Sequence, residues 1–114
     1  MSYRTGRVAE AFREEIMDMI QRDLKDPRIG FVTVTHVEVS SDLKHATVFM
    51  SILGDEAKKD ETLRAMERAK GHIRSELSKR VRLKFLPELE FVHDTTIEES
   101  FKVSEIIKKI HKER

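Results

Sequence analysis

Between residues 64 and 84 the chain carries eight permanently cationic side chains and only two acidic ones. The eight are Arg64, Arg68, Lys70, Arg74, Lys79, Arg80, Arg82 and Lys84, set against Glu67 and Glu76. At about 100° per residue, Arg64, Arg68, His72, Ser75, Lys79 and Arg82 share one face, opposite the apolar positions Leu63, Met66, Ile73, Leu77 and Val81. Four of these six are cationic and none is acidic. Such a face can neutralise a polyanion, because each Lys or Arg brought to a phosphate releases condensed counterions. A merely solvated face normally mixes both signs. The first helical segment shows that mixture in Arg7, Glu10, Glu14, Asp18, Gln21 and Lys25. Anionic lipid would also attract the stripe, but its apolar side is needed for a core and leaves no wedge to insert. Arg4, Arg7 and Arg28 are further candidates for phosphate contact, or equally ordinary surface charges. Gly71 stands mid-stripe, where glycine costs about 1 kcal/mol relative to alanine; it is expected to mark a helix kink that shapes a groove.

Catalytic chemistry is thinly represented. The absence of cysteine removes disulfides and thiolate metal sites. The histidines (His36, His45, His72, His93, His111) form no i,i+4 pair. His36 and His45 fall on paired strands, placed to approach each other across a hairpin, yet two ligands fall short of the three or four that zinc needs. The four glycines, at 6, 30, 54 and 71, build no phosphate loop, dinucleotide fingerprint or nucleophile elbow. Asp42 and Asp94 sit at expected turns, where bonding to backbone accounts for them. No cofactor, metal or catalytic residue is expected, and the chain reads as a non-enzyme. Base reading is expected to be weak too. There is no Trp, Tyr3 is terminal, and the six Phe mostly fall on core-type positions, which leaves phosphate and shape recognition.

The elements that must position these groups follow from periodicity. From Arg4 to Leu24, Val8, Phe12, Ile16, Met19, Ile20 and Leu24 recur at helical spacing until Asp26-Pro27 ends the pattern. Ile29 to Val39 is rich in Val and Thr with apolar character on both faces, the pattern of a central or well-covered strand. Ser40-Ser41-Asp42 signals a turn, and Ala46, Val48, Met50 and Ile52 alternate as the hairpin's second strand. After Gly54-Asp55 comes the long helix that bears the basic stripe, ended by Pro87; Leu89 to Asp94 is a short third strand. Thr95-Thr96 is placed to cap a last helix carrying Ile97, Val103, Ile106, Ile107 and Ile110. The order gives an α+β class: a three-stranded sheet with helices packed on one face, one domain over residues 1–114.

The 114 residues balance 22 Lys+Arg against 21 Asp+Glu, so the net charge of +1 conceals the local excess. Residues 1–63 hold nine basic against twelve acidic side chains, and residues 85–114 five against seven. Charges throughout the first twenty residues exclude a signal-peptide core, and no apolar run approaches the ~18 residues of a membrane span. A cytoplasmic location, no membrane partner and a monomer are expected. No Asn and a single Gln among abundant Glu and Lys is a composition associated with heat-adapted proteins.

Asp26-Pro27-Arg28-Ile29-Gly30-Phe31, Thr33-Val34-Thr35, Ser40-Ser41-Asp42-Leu43 and Ala46-Thr47-Val48 resemble the first half of bacterial ribosome-binding factor A. Ala69-Lys70-Gly71-His72-Ile73-Arg74-Ser75-Glu76-Leu77 is similar to that family's helix–kink–helix, and Arg82-Leu83 through Pro87-Glu88-Leu89-Glu90-Phe91 to Asp94 is similar to its continuation. The ordered set spans nearly the whole chain. Phe101-Lys102-Val103 departs from it, standing where a Tyr-Gly pattern is expected. The resemblance implies a type II KH-like domain (α-β-β-α-kink-α-β, with a C-terminal helix) in which Ala69-Lys70-Gly71 replaces the Gly-x-x-Gly clamp. It further implies binding to the small ribosomal subunit and its rRNA, assistance in late maturation of that RNA, and a role in cold adaptation. Charge geometry points to a polyanion, whereas only the resemblance points to a ribosome. A general KH-like RNA- or DNA-binding protein and a protein-interaction module are the alternatives.

Overall fold

Apolar residues at three- and four-residue steps wind the N-terminal segment into α1 (Tyr3–Arg22). Phe12, Ile16 and Met19 become wholly buried there, with Val8 and Leu24 packed at the margin. The computed structural model describes residues 3–24 and 26–94; the expected C-terminal helix and Phe101-Lys102-Val103 lie outside them. Past α1, the Asp26 carboxylate accepts from the Arg28 backbone N–H at 2.9 Å, closing the turn around Pro27. The chain then forms β1 (Phe31–Val39) and β2 (His45–Leu53), an antiparallel pair. Between them, Asp42 accepts from Ser40 Oγ at 2.6 Å and from the Lys44 N–H at 3.0 Å. The Ser40–Asp42 turn signal is thus realised in side-chain-to-backbone bonds.

Gly54, at φ +135°, turns the chain into α2 (Glu56–Val81). β3 (Glu88–His93) follows and pairs with β2 in parallel. Two parallel strands cannot be joined by a tight turn, so α2 is the crossover that brings β3 alongside β2. The sheet order is β1-β2-β3. Val32, Val34, Val37, Val39, Ala46, Val48, Met50, Ile52, Leu89 and Phe91 are all buried. They form the one sheet face that both helices cover, and Met66, Ile73 and Leu77 close the core from α2.

Two expectations change. β1 is an edge strand and not a central one. The register slips between Val34 and His36, leaving Thr35 as an extra residue. The inward set therefore changes phase from Val32 and Val34 to Val37 and Val39, and this bulge makes a one-sided strand look two-sided in sequence. Thr35 Oγ donates instead to Asp94 at 2.8 Å, linking the sheet's two edge strands. The kink expected at Ala69 and Gly71 does not divide the helix: α2 runs as one 26-residue helix through both. Ala65 and Met66 before the glycine and Ile73 and Leu77 after it are buried on one stripe, so packing on both sides carries the helix across it.

Candidate nucleic-acid interface

α2 is defined at both ends by its own side chains and backbone. Asp55 caps its start, accepting from the Lys58 N–H at 2.8 Å. Arg82 ends it in the left-handed region (φ 53°, ψ 60°) with its N–H on Ser78 O. Because Thr62, Ala65, Met66, Ile73 and Leu77 face the core, the opposite side must face solvent. Arg64, Arg68, His72, Ser75, Lys79 and Arg82 are all exposed. At 1.5 Å per residue the stripe from Arg64 to Arg82 is about 27 Å long. Among the described residues Arg64, Arg68 and Arg82 form no ion pair, and Lys79 meets only Glu76, at 3.6 Å. Three of the five acids of α2, Glu56, Asp60 and Glu61, lie near its start, while Glu67 and Glu76 pair with cations of the same helix. That polarity suits the helix dipole, but the dipole acts within the terminal turns and does not account for Arg64, Arg68 or His72.

The other cations are drawn into the protein. Arg80 donates to Glu15 (3.1 Å), Asp18 (3.0 Å) and Asp23 (2.8 Å), with Glu76 at 3.6 Å. Its charge is neutralised between α1 and α2, and these carboxylates, Glu15 first, hold its pKa above the ordinary arginine value. Arg74 donates to Pro87 O at 2.7 Å and pairs with Glu88 at 3.1 Å, fastening α2 to the start of β3. Lys70 pairs with Glu67 at 2.7 Å and stands 5.7 Å from the Phe91 ring centre. Arg28 folds back onto Asp26 at 2.8 and 2.7 Å and, with its backbone N–H, holds that carboxyl down to about 2. Arg7 is exposed on α1; Arg4 belongs to its first turn, with a side chain outside the described residues. Gly71 is exposed, and a Cβ built there meets nothing within 4 Å.

Past α2, Lys84 and Phe85 join Arg82 and the β1–β2 turn around a cleft of about 270 Å³. Lys44 and Lys84 place their ammonium groups 5.6 and 5.5 Å from the Phe85 ring centre. Neither Lys44 nor Phe85 stands out in the sequence, because the phenylalanines read as core. Phe12 and Phe91 are indeed buried, but Phe85 is 57% exposed and Phe31 81%. The available signal was the interleaving of cation and aromatic in Arg82-Leu83-Lys84-Phe85. The two strand histidines do not meet: His36 faces Phe49, with ring centres 5.7 Å apart, while His45 sits at the far end of the hairpin beside Ser40. Among the described residues no group of three His, Cys, Asp or Glu is placed to hold a metal. No described helix is long and apolar enough to cross a membrane.

Residues 4–107 match the family model for ribosome-binding factor A. Over 111 residues the chain is 45% identical to ribosome-binding factor A of Desulforamulus reducens, covering 97% of this chain and 92% of that one. The crystal structure of ribosome-binding factor A from Thermus thermophilus superposes with a TM-score of 0.70 at 30% identity, over 78% of this chain and 94% of its own. A Thermus thermophilus ribosome-binding factor A model fitted into a cryo-EM map of a 30S complex matches at TM-score 0.61 and 30% identity, over 83% of this chain and 96% of that one. The α+β fold expected from periodicity, in the KH-like form that the resemblance implies, is the fold these structures share with it. Agreement in sequence over almost the whole chain, together with superposition on these structures, has one reading: the chain belongs to the ribosome-binding factor A family.

Proposed function

We propose that this protein binds the small ribosomal subunit through the exposed face of α2, with Arg64, Arg68, Lys79 and Arg82 meeting rRNA phosphates. His72 and Ser75 lie between them, and Lys84 extends the contact past the helix end. The observation that carries this reading is the one-sign face itself, on which Arg64, Arg68 and Arg82 form no ion pair among the described residues while Lys70, Arg74 and Arg80 are each paired. The Thermus thermophilus relative fitted in a 30S complex supports the choice of polyanion. In this reading Lys70, Arg74, Arg80 and Arg28 act within the protein, Ala69 packs against the core, and the exposed Gly71 lets α2 lie close against RNA. The protein works as a cytoplasmic monomer without catalysis or cofactor, assisting late maturation of small-subunit rRNA, including at low temperature.

The test is co-sedimentation with purified small subunits, wild type beside Arg68→Glu/Lys79→Glu/Arg82→Glu, at low and moderate salt. Wild type is expected to pellet with subunits and the folded triple variant to stay in solution. Wild-type affinity should fall steeply as salt rises, as phosphate contacts require. A wild type that never pellets removes the ribosomal partner. A triple variant that pellets equally well leaves the partner standing and returns the stripe to an ordinary solvated face.

A further inference from the structure

Phe85 is a large apolar ring held open to solvent at 57% exposure, two residues before the buried Pro87. Three cations surround it: Lys44 from the β1–β2 turn, Lys84 beside it in sequence, and Arg82 across the shared cleft. The cleft walls include Leu43 (φ 62°) and Arg82 (φ 53°), the two non-glycine residues with positive φ among those described. Left-handed backbone is unfavourable for branched and long side chains, and such strain gathers where a site over-determines it. Asp42, the one acid on the wall, is turned onto Ser40 Oγ and the Lys44 N–H and closes its own turn. The other exposed phenylalanine, Phe31, offers a contrast: it lies opposite Leu53 in the sheet, with no described cation over its ring.

We propose that Phe85 is a stacking platform for one unpaired base of a single-stranded RNA segment, with Lys44, Lys84 and Arg82 taking the phosphates on either side. The inference rests on RNA being the partner, and it adds a base-binding subsite at the C-terminal end of the α2 stripe, since Arg82 belongs to both. The two ammonium groups stand near the ~6 Å limit of cation–π contact. A base sliding over the ring therefore displaces a weakly held cation onto its own phosphate. Stacking needs no particular base, so the subsite recognises unpaired RNA and not a sequence.

The chain contains no tryptophan, so Phe85→Trp introduces a single indole reporter at the platform. Its fluorescence is expected to be quenched by purified small subunits and, at low salt, by a single-stranded adenylate decamer. Phe85→Ala and Phe85→Leu should each weaken subunit binding about 5- to 100-fold, with the salt slope unchanged because no phosphate contact is lost. Lys44→Ala should instead reduce that slope by about one. Phe85→Leu binding as tightly as wild type would overturn the platform, since leucine keeps the apolar bulk and loses the π face. Unquenched tryptophan in a subunit-bound variant, or quenching that survives complete ribonuclease digestion, overturns it as well. If wild type fails to bind subunits, the ribosomal reading falls, and the decamer alone decides whether the platform stands.

Discussion

Arg80 reaches Glu15 and Asp18 on α1 and Asp23 just beyond it, while Arg82, two residues further on, takes a left-handed backbone and opens to solvent. Identical side chains therefore do opposite work, one closing the interior and the other facing outward. Arg80→Gln is expected to lower stability by about 1 kcal/mol, the modest figure appropriate to a partly solvated network, and to leave subunit affinity unchanged; thermal melting and co-sedimentation check the two halves. Asp26 presents the second residue-scale outcome. Its folded pKa of about 2, set first by the Arg28 guanidinium and then by the Arg28 N–H, lies below an ordinary carboxylate's. Its stabilising effect is thus complete above about pH 4 and fades as pH falls through the folded value. An NMR titration of the Asp26 carboxyl should show that depressed midpoint, and Arg28→Ala should move it up toward the ordinary range.

At the scale of elements, α2 combines three duties: it crosses from β2 to β3, fills the core with Met66, Ile73 and Leu77, and displays the basic face. Gly71 contributes to none of them by contact, since a Cβ there meets open space. Gly71→Ala should accordingly raise stability by about 1 kcal/mol through helix propensity, seen as a melting midpoint roughly 4 °C higher. Subunit binding by that variant decides the glycine's role. Unchanged affinity makes it a neutral interruption, whereas a loss shows that RNA needs the bare backbone. β1 teaches a different lesson. Its bulge at Thr35 reverses the inward phase midway, and the freed hydroxyl ties β1 to Asp94 after β3. A strand whose composition suits a central or well-covered position is an edge with one buried face, and its bulge explains why both faces read as apolar in sequence.

Across the whole molecule, near-neutral charge is divided by structure as well as by sequence. Carboxylates of α1 absorb Arg80, Asp26 absorbs Arg28, and Glu88 absorbs Arg74. Among the described residues, Arg64, Arg68 and Arg82, which form no ion pair, lie along one side of α2 and at its end beside Phe85. Binding to small subunits should therefore show a salt slope that falls by about one for each of Arg68, Lys79 and Arg82 replaced by Ala, while Arg74→Ala changes stability more than slope. The composition, free of Asn and nearly free of Gln, carries its own expectation: a melting midpoint above the ~45–65 °C usual for mesophilic domains, measured by calorimetry.

Periodicity is a local property, and the elements it governs were readable from the chain alone: the α1 stripe, the hairpin with its Ser40–Asp42 turn, the long basic helix and the short strand after Pro87. The single-sign stripe was readable for the same reason, because residues three and four apart share a helix face whatever surrounds them. Tertiary structure decided which charges remained available. Spacing sets Arg80 at the margin of the stripe, but only α1 laid beside it shows where its charge goes, and the pairing spans more than sixty positions in the chain, from Glu15 to Arg80. It also decided that Phe85 faces outward and that Lys44, about forty residues away, comes to its side. Spacing along a chain determines which face a residue occupies, but only the packing of distant elements determines what that face meets.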